Sequence, residues 1–278
     1  MSNNKTPTTE ELLAGLGKEL EGIGKSIGGL LVELKDQVTI SNRVVNGIMS
    51  FTYRDRLFYI RLPEASSDLH QRGIALAGTF SDLHALERVE KKLKPGSVII
   101  DAGACVGNHT IWFASQIPGA KVIAFEPMKS TFSVLSSNIE LNNLTNVELR
   151  NEALGDACGC GRLRAFETDR KNIGGTCFER CHEETDYKVV TIDSLALDKL
   201  DFIKIDVEGM QLPLLQGAVN TIDKLHPSIL IELFPGKQQH TADTWDEERE
   251  VNMPKRFLWE HGYELHRVSP IDWLCSPR

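Results

Sequence analysis

The chain of 278 residues is 41% hydrophobic and 25% charged, which is typical of a globular protein with one large α/β domain and an appendage. Its formal net charge of −8 excludes a general basic field, so we expect no nucleic-acid partner. No run approaches the roughly 20 apolar residues of a spanning helix, and residues 1–11 lack the apolar core of a signal peptide. We therefore expect a cytoplasmic protein with no membrane partner and with its six cysteines reduced.

The N-terminal segment carries a heptad repeat. Between Leu13 and Leu34, apolar residues recur in alternating steps of three and four, which predicts a helix with one apolar face. The segment also holds six glycines, all of them off that face, and each costs roughly 1 kcal/mol of helix propensity relative to alanine. Such a helix needs a partner surface. Two alternatives stay open: the helix docks on the chain's own domain, or residues 13–34 join the subunits of a homo-oligomer.

The next segment predicts a β-hairpin. Residues 44–63 alternate and are rich in β-forming side chains, with a turn expected at residues 53–56. A helix is expected over Asp82–Leu93, and the following Lys-Pro-Gly ends it. We therefore divide the chain into a tail with an amphipathic helix (1–43), a hairpin and helix lead-in (44–96) and a main domain (97–278).

Beyond residue 97, short apolar strands alternate with helical segments. The expected strands are Val98–Ile100, Lys121–Phe125, Val147–Arg150, Phe202–Ile205 and Ser228–Glu232, and the expected helices are Asn108–Gln116, Ser130–Asn142 and Gln211–Leu225. Uniformly apolar strands between helices predict a Rossmann-like α/β fold, in which a parallel-majority sheet is flanked by helices. Right-handed crossovers then place the ligand cleft beyond the carboxyl ends of the strands.

A loop of small residues follows the first strand of this sheet. Asp101 ends the strand, and Gly103, Ala104 and Gly107 lead into a helix that begins near Asn108. The glycines stand four apart, unlike the G-x-G-x-x-G spacing that admits a pyrophosphate. A strand-end carboxylate suits an ammonium group, and the amides at a helix start suit a carboxylate. The loop therefore predicts an amino-acid moiety, such as the methionine half of S-adenosylmethionine.

Two further strand ends carry acids. Glu126, followed by Pro127, ends the second strand and is placed for a bidentate hydrogen bond to two ribose hydroxyls. Glu152, followed by Ala153, comes after the third strand and is placed to accept from an adenine amino group. Dinucleotide-binding proteins share the position of Glu126, and a solvated strand end explains any one of these acids. Three acids at successive strand ends beside the glycine loop together indicate an adenosyl ligand.

With these motifs the chain resembles the class I S-adenosylmethionine-dependent methyltransferases, and in particular the FkbM family. The resemblance rests on IIDAGACVGNHT (99–110), AFEP (124–127), NEALGD (151–156), FIKIDVEGMQLPLLQGA (202–218) and PSILIE (227–232), and it covers roughly residues 97–233. It implies S-adenosylmethionine as the cofactor and methyl transfer to a hydroxyl of a sugar or secondary metabolite. Two positions depart from the family pattern: Cys105 replaces a usual Asn, and Gln211 replaces a common acid.

Three ionisable side chains alternate along the fourth strand of the main domain. Lys204, Asp206 and Glu208 share one face of an extended backbone. Because a buried charge is costly unless it is paired, we expect Lys204 to form a salt bridge with a neighbouring acid. Asp206 and Glu208, with Glu232 at the end of the next strand, are the candidates for a catalytic base or an acceptor-orienting group. These acids are also suitable ligands for a divalent cation, but the resemblance requires no metal and we predict none.

Histidines and cysteines supply further candidates. His109 lies in the helix after the glycine loop and is predicted to contact the cofactor, while His182 and His240 are alternative bases. The insert after the third strand holds a C-x-C and a C-x₃-C pair, a spacing that departs from most zinc knuckles. We predict reduced thiols rather than a zinc site for Cys158, Cys160, Cys177 and Cys181.

The function predicted from these motifs is S-adenosylmethionine-dependent methylation of a small hydroxyl-bearing acceptor. A nicotinamide-dependent oxidoreductase on the same topology is one alternative, and the missing G-x-G-x-x-G motif counts against it. A non-catalytic adenosyl-binding module that assembles through its N-terminal helix is another. The intact set of Asp101, Gly103, Gly107 and Glu126 counts against that alternative.

Overall fold

The computed structural model describes residues 9–163, 178–181, 187–234 and 247–278. Its helices are α1 (Thr9–Arg43), α2 (Leu69–Ala77), α3 (Leu83–Glu90), α4 (Asn108–Gln116), α5 (Lys129–Leu141), α6 (Gln211–Gln216), α7 (Val219–Leu225) and α8 (Met253–Glu260). Its strands are β1 (Val44–Val45), β2 (Ile48–Tyr53), β3 (Arg56–Arg61), β4 (Val98–Ala102), β5 (Lys121–Phe125), β6 (Val147–Arg150), β7 (Ala153–Leu154), β8 (Gly159–Leu163), β9 (Phe178–Cys181), β10 (Tyr187–Val190), β11 (Phe202–Ile205), β12 (Ser228–Glu232), β13 (Tyr263–Arg267) and β14 (Asp272–Pro277). Within these ranges, no helix combines the length and the apolar character needed to span a bilayer.

The main sheet has seven strands in the order β13-β14-β12-β11-β4-β5-β6. Its five strands from β12 to β6 run parallel, while β14 and β13 add an antiparallel edge. The predicted Rossmann-like sheet is therefore confirmed, and β4 extends two residues beyond its predicted end. The strand order reverses between β4 and β11, and this reversal opens a crevice at the carboxyl ends of the two strands.

The single helix predicted over residues 211–225 is wrong, because the chain forms α6 and α7 with a break at Gly217. A Cβ at Gly217 would lie 1.9 Å from the backbone oxygen of Gly155, so the two chain segments approach more closely than any side chain allows. The new helix start is then capped by Asp193, whose carboxylate accepts from the amides of Asn220 and Thr221 at 3.1 and 2.8 Å.

The predicted hairpin is confirmed as β2 and β3, joined by a turn at Arg54-Asp55 and extended by the short strand β1. Phe51 and Phe58 pack edge-on against Phe80, with ring centroids 4.9 Å apart in both pairs. These rings continue into the same buried cluster as Trp112 in α4 and Phe202 in β11. The lead-in segment and the main sheet thus share one hydrophobic core.

Helix α5 covers the outer edge of β3 with two asparagines one helical turn apart. The side chain of Asn138 accepts from the Arg61 amide at 2.6 Å and donates to the Arg61 carbonyl at 3.2 Å. Asn142 makes the same pair of bonds with Tyr59, at 3.0 and 2.6 Å. The edge strand therefore has side-chain partners where another strand would otherwise pair.

Helix α1 is confirmed and is longer than its heptad repeat. Residues 18–32 of the helix are exposed, and contacts with its own domain follow them: Arg72 of α2 lies 3.2 Å from Glu33 and 3.0 Å from Asp36, and Ile40 is buried. The apolar face from Leu20 to Leu34 is exposed. Over these residues, the alternative in which the heptad face docks on the chain's own domain is wrong.

Candidate active site

The loop after β4 is held against two neighbouring strand ends. The amides of Gly103 and Ala104 donate to the Phe125 carbonyl at 3.1 and 2.9 Å. Gly103 has a φ of 77°, and a Cβ there would lie 1.8 Å from the backbone oxygen of Asp206, so only glycine fits. Gly107 precedes α4 with a φ of 89°, and its amide donates to the Ala104 carbonyl at 2.8 Å. That amide is thus used inside the loop, whereas the sequence predicted that it would face a ligand carboxylate.

Asp101 is fully buried and interacts with a cation of its own chain. Its Oδ2 accepts from the Thr110 hydroxyl at 2.6 Å, and its Oδ1 lies 3.4 Å from Lys204 Nζ. The same ammonium group lies 3.1 Å from Asp206 Oδ2 and donates to the Gly103 carbonyl at 3.0 Å. Burial would lower the pKa of Lys204, but Asp206 and Asp101 outweigh it and hold that pKa above its ordinary value. The salt bridge predicted for Lys204 is confirmed.

Glu126 lies at the end of β5 with only 6% of its surface exposed. Its Oε1 accepts from the Met128 amide at 2.8 Å and its Oε2 from the Cys105 amide at 3.1 Å. Burial raises the pKa of Glu126 to about 7 despite these two bonds. Each oxygen keeps a free lone-pair direction, so the group can still accept two hydroxyl donors. Cys105 has a φ of 49°, a conformation that Asn tolerates better than most other non-glycine residues, so the backbone is strained at this position of the loop.

Glu152 is already paired with two cations. Its Oε2 lies 2.8 Å from Arg150 Nε and its Oε1 2.5 Å from Lys188 Nζ. Burial opposes ionisation, but Lys188 and Arg150 hold the pKa of Glu152 below its ordinary value. The adenine contact predicted for Glu152 stays a prediction, and an amino group bound there would share the carboxylate with two cations.

Asn151 connects the ends of β5 and β6. Its side-chain amide donates to the carbonyls of Glu126 and Pro127 at 2.8 and 3.0 Å. Ala153, predicted to lie beside the cofactor, is buried at the start of β7 and contacts Met210 and Val189 in a small apolar cluster. The two strand ends that carry the predicted adenosyl contacts are therefore fixed to each other.

The three candidate catalytic acids come together at the ends of β11 and β12. One carboxylate oxygen of each of Asp206, Glu208 and Glu232 lies within 4.8 Å of the others. The charge of Asp206, together with burial, raises the pKa of Glu232 far above its ordinary value. Burial acts in the same direction on Asp206, but Lys204 and a hydrogen bond to Glu232 hold its pKa well below the usual range. At neutral pH a protonated Glu232 therefore lies beside an ionised Asp206. The spacing would also suit a divalent cation, and the absence of a metal stays a prediction.

A histidine lines the same cavity as two of these acids. His109 of α4 lines this cavity together with Asp206 and Glu232, and the cofactor contact predicted for it stays a prediction. Its Nε2 lies 3.4 Å from Asp82 Oδ2 and 3.5 Å from Ser81 Oγ. The hydrogen bond to His109 lowers the pKa of Asp82 in spite of partial burial. Asn108 holds this arrangement in place, because its side chain donates to Ser81 Oγ at 2.7 Å.

Sequence reasoning missed three residues at this site: Asp82, Asp272 and His70. Asp82 was recognised only as a helix start, and its φ of 54°, a mark of local strain in a non-glycine residue, is invisible in the sequence. Asp272 belongs to β14 and lines the cavity, and burial raises its pKa. His70 begins α2, where burial lowers its pKa against the opposing charge of Asp206. No motif marks Asp272 or His70.

Several candidates lie wholly or partly outside the described residues. His182, His240 and Cys177 are among these. In the small sheet of order β7-β10-β8-β9, the backbone places Cys160 opposite Cys181. The prediction of reduced thiols rather than zinc in this insert stays a prediction.

The sheet order defines a doubly wound α/β protein. Proteins of this class bind ligands at the switch point of the sheet, which here is the crevice between β4 and β11. Within this class, the chain belongs to the FkbM methyltransferase family. The profile of the Methyltransferase FkbM domain matches residues 101–265, which is more than half of the chain and includes every acid at the strand ends described above.

Two relatives that match this chain in sequence are named as methyltransferases. Methyltransferase 1 of Beauveria bassiana is 26% identical over 164 residues, which cover 51% of this chain and 66% of the relative. Hexuronic acid methyltransferase AglP of Haloferax volcanii is 27% identical over 143 residues, which cover 50% of this chain and 56% of the relative. This chain thus matches only part of the length of either relative. A crystal structure of a methyltransferase FkbM from Methylobacillus flagellatus superposes with a TM-score of 0.44 at 13% identity, covering 89% of this chain and 59% of that one.

Proposed function

We propose that this protein transfers a methyl group from S-adenosylmethionine to a hydroxyl group of a sugar or secondary metabolite. The proposal rests on the environment of Glu126. This carboxyl group is buried at the crevice and can still accept hydrogen bonds from two hydroxyl groups. Membership of the FkbM family supports it, as does the relative named as a hexuronic acid methyltransferase.

Bound S-adenosylmethionine would supply an electrophilic methyl group, which an acceptor oxygen displaces in line. On the proposed cofactor side, Glu126 accepts from the ribose hydroxyls and Glu152 from the adenine amino group. The remaining cofactor contacts that we propose lie at or after the carboxyl ends of β4, β5 and β6: Asp101, Gly103, Ala104, Gly107, Asn108, Pro127 and Ala153. Asp206 lies on the side of the acceptor in this proposal.

We assign the general base to His109 rather than to an acid. Lys204 holds Asp206 in its ionised form as a weak base, and Glu232 already carries a proton. Histidine is the side chain most often used as a base near neutral pH. Asp82 and Ser81 orient the His109 ring through Nε2, which leaves Nδ1 for the proton of the acceptor hydroxyl. Asp206 and Glu232 then orient the acceptor as hydrogen-bond acceptor and donor.

Calorimetric titration tests the cofactor. We expect micromolar binding of S-adenosylmethionine and S-adenosylhomocysteine, roughly −8 kcal/mol, and clear weakening in Glu126→Ala. Glu148→Ala, which removes a half-exposed acid on the neighbouring strand β6, is the control and should bind as the wild type does. Binding of NAD alone would contradict the proposal and favour the oxidoreductase alternative.

Transfer from methyl-labelled S-adenosylmethionine to glucuronic and galacturonic acids tests the acceptor class and the base. On whichever acid is methylated, His109→Gln should lower kcat by about 10²–10⁴-fold with little change in cofactor affinity. Asp82→Asn keeps a residue that tolerates positive φ and should cause a smaller loss with a shifted pH profile. Glu232→Gln imitates the protonated acid and should stay within several-fold of the wild type. A larger loss in Glu232→Gln than in His109→Gln would overturn the assignment of the base.

A further inference from the structure

Among its described side chains, helix α1 contacts its own domain with one side. Those contacts are made by Glu33, Asp36, Ile40 and Arg43, the last of which donates to the Leu76 carbonyl of α2. At about 100° per residue, these positions lie on the side of the helix opposite to the heptad face. The contacts that hold α1 on the domain therefore direct its apolar face away from the rest of the chain.

The apolar face is continuous over its described length. Its members are between 52% and 70% exposed: Leu20, Ile23, Ile27, Leu30, Leu31, Leu34 and Val38. Complete burial of one such side chain removes roughly 60–120 Å² of apolar surface from water. Two copies of the face would together bury on the order of 1,000 Å², the area at which a stable biological interface begins.

We propose that the heptad face of α1 binds the same face of a second copy of this chain, so that the protein forms a homo-oligomer whose subunits are joined through their α1 helices. A heptad face is self-complementary, because the apolar residues of one helix are knobs that fit the holes between those of the other. The glycines of α1 are a second indication that this helix needs a partner surface. A Cβ at Gly22, Gly24, Gly28 or Gly29 would meet nothing within 4 Å, so these residues relieve no crowding within the chain and only weaken an isolated helix.

The charges of α1 favour a second copy over a lipid surface. Between Thr9 and Val32 the sequence of the helix holds two lysines, Lys18 and Lys25, against four glutamates, Glu10, Glu11, Glu19 and Glu21, and Lys25 lies 2.8 Å from Glu21. Helices that lie on membranes carry an excess of cations over anions on the polar face. This part of α1 has no such excess. Self-association needs no net charge on either partner.

Light scattering and sedimentation of the full-length protein test the proposal, which is independent of the proposed function. The wild type should have a mass at least twice the 31.0 kDa of one chain at micromolar concentration. The double variant Ile27→Asp, Leu30→Asp places two charges on the heptad face and should sediment as a monomer. Val32→Asp is the matched control, because Val32 is 61% exposed but lies off the heptad face, and it should retain the wild-type mass.

Circular dichroism of the buried aromatic residues shows whether each variant keeps the folded domain. The residues of the heptad face are exposed in the single chain, so the double variant should retain the near-ultraviolet signal. A wild type of 31.0 kDa would overturn the proposal, as would a folded double variant with the wild-type mass. A control that dissociates together with the double variant would also overturn it, because the effect would then not belong to the heptad face.

Discussion

At Glu126, burial and hydrogen bonding act in opposite directions on one carboxyl group. Two backbone amides favour the ionised form, but desolvation wins and raises the pKa to about 7. The ordinary value for Glu is near 4.3. The free protein is therefore stabilised by this group at low pH and loses that contribution as the pH rises towards 7. A ligand that donates hydroxyl hydrogen bonds favours the ionised form and reverses the balance.

We therefore expect binding of S-adenosylmethionine to release a proton at pH values below about 7. Its affinity should rise from about pH 5 to about pH 7 and then level off, because above that range Glu126 is already ionised. Calorimetry in buffers of different ionisation enthalpy measures the proton directly. Glu126→Gln should bind more weakly with no proton release. Proton uptake by the wild type, or release retained in the variant, would contradict the role of Glu126.

Helix α5 supplies hydrogen-bond partners to the backbone of the edge strand β3. Asn138 is fully buried, and its side chain bonds both backbone groups of Arg61 and the Val106 carbonyl, the last at 2.8 Å. An edge strand with unpaired amides invites pairing with other chains, and these asparagines take that place without adding a strand. The helix thereby joins the hairpin to the loop that precedes α4.

Asn138→Ala should lower the free energy of unfolding by about 1–3 kcal/mol, because buried backbone groups lose their partners. Denaturant unfolding measures the loss. Ser133→Ala, at an exposed position of the same helix, is the control and should change stability by less than about 0.5 kcal/mol. If both variants change stability equally, the bonds to β3 contribute nothing of their own.

On the scale of the whole molecule, the hairpin and the main sheet share a core. Phe58 of β3 belongs to the same buried cluster as Trp112 of α4. Parts that share a core are expected to unfold together. The lead-in segment also brings Asp82 to the catalytic cavity and His70 within electrostatic reach of Asp206, so that the site depends on this packing.

Phe58→Leu should therefore unfold in a single thermal transition with a lower midpoint, and no second transition should appear. The lost volume and the lost edge contact with Phe80 are worth about 1–2 kcal/mol, or about 2–4 °C for each kcal/mol in a chain of this size. Calorimetry checks the number of transitions as well as the midpoint. Leu57→Ala, on the exposed face of the same strand, should leave the midpoint almost unchanged. A second transition in Phe58→Leu would show that the hairpin unfolds separately.

The sequence by itself determined five of the seven strands of the main sheet, the hairpin, the heptad helix and the set of strand-end acids. Four of those five strands, β4, β5, β11 and β12, are largely buried apolar runs with clear ends, and recognising them needs no tertiary information. The glycine loop and Glu126 follow such ends, so their position at the crevice follows from the parallel order. The alternation of Lys204 and Asp206 likewise placed both charges on one face, and the cost of a buried charge predicted that Lys204 would pair with a neighbouring acid.

Only the tertiary structure decided which of these groups is paired, protonated or exposed. Glu152 pairs with Lys188 because β10 lies beside β7 after a long insert. His109 pairs with Asp82 because an earlier segment of the chain packs beside α4. The single helix expected after β11 breaks because Gly155 approaches its backbone. Each of these outcomes depends on contacts between residues far apart in the chain, and a pattern of neighbouring residues cannot encode the distances that decide a pKa or a steric overlap.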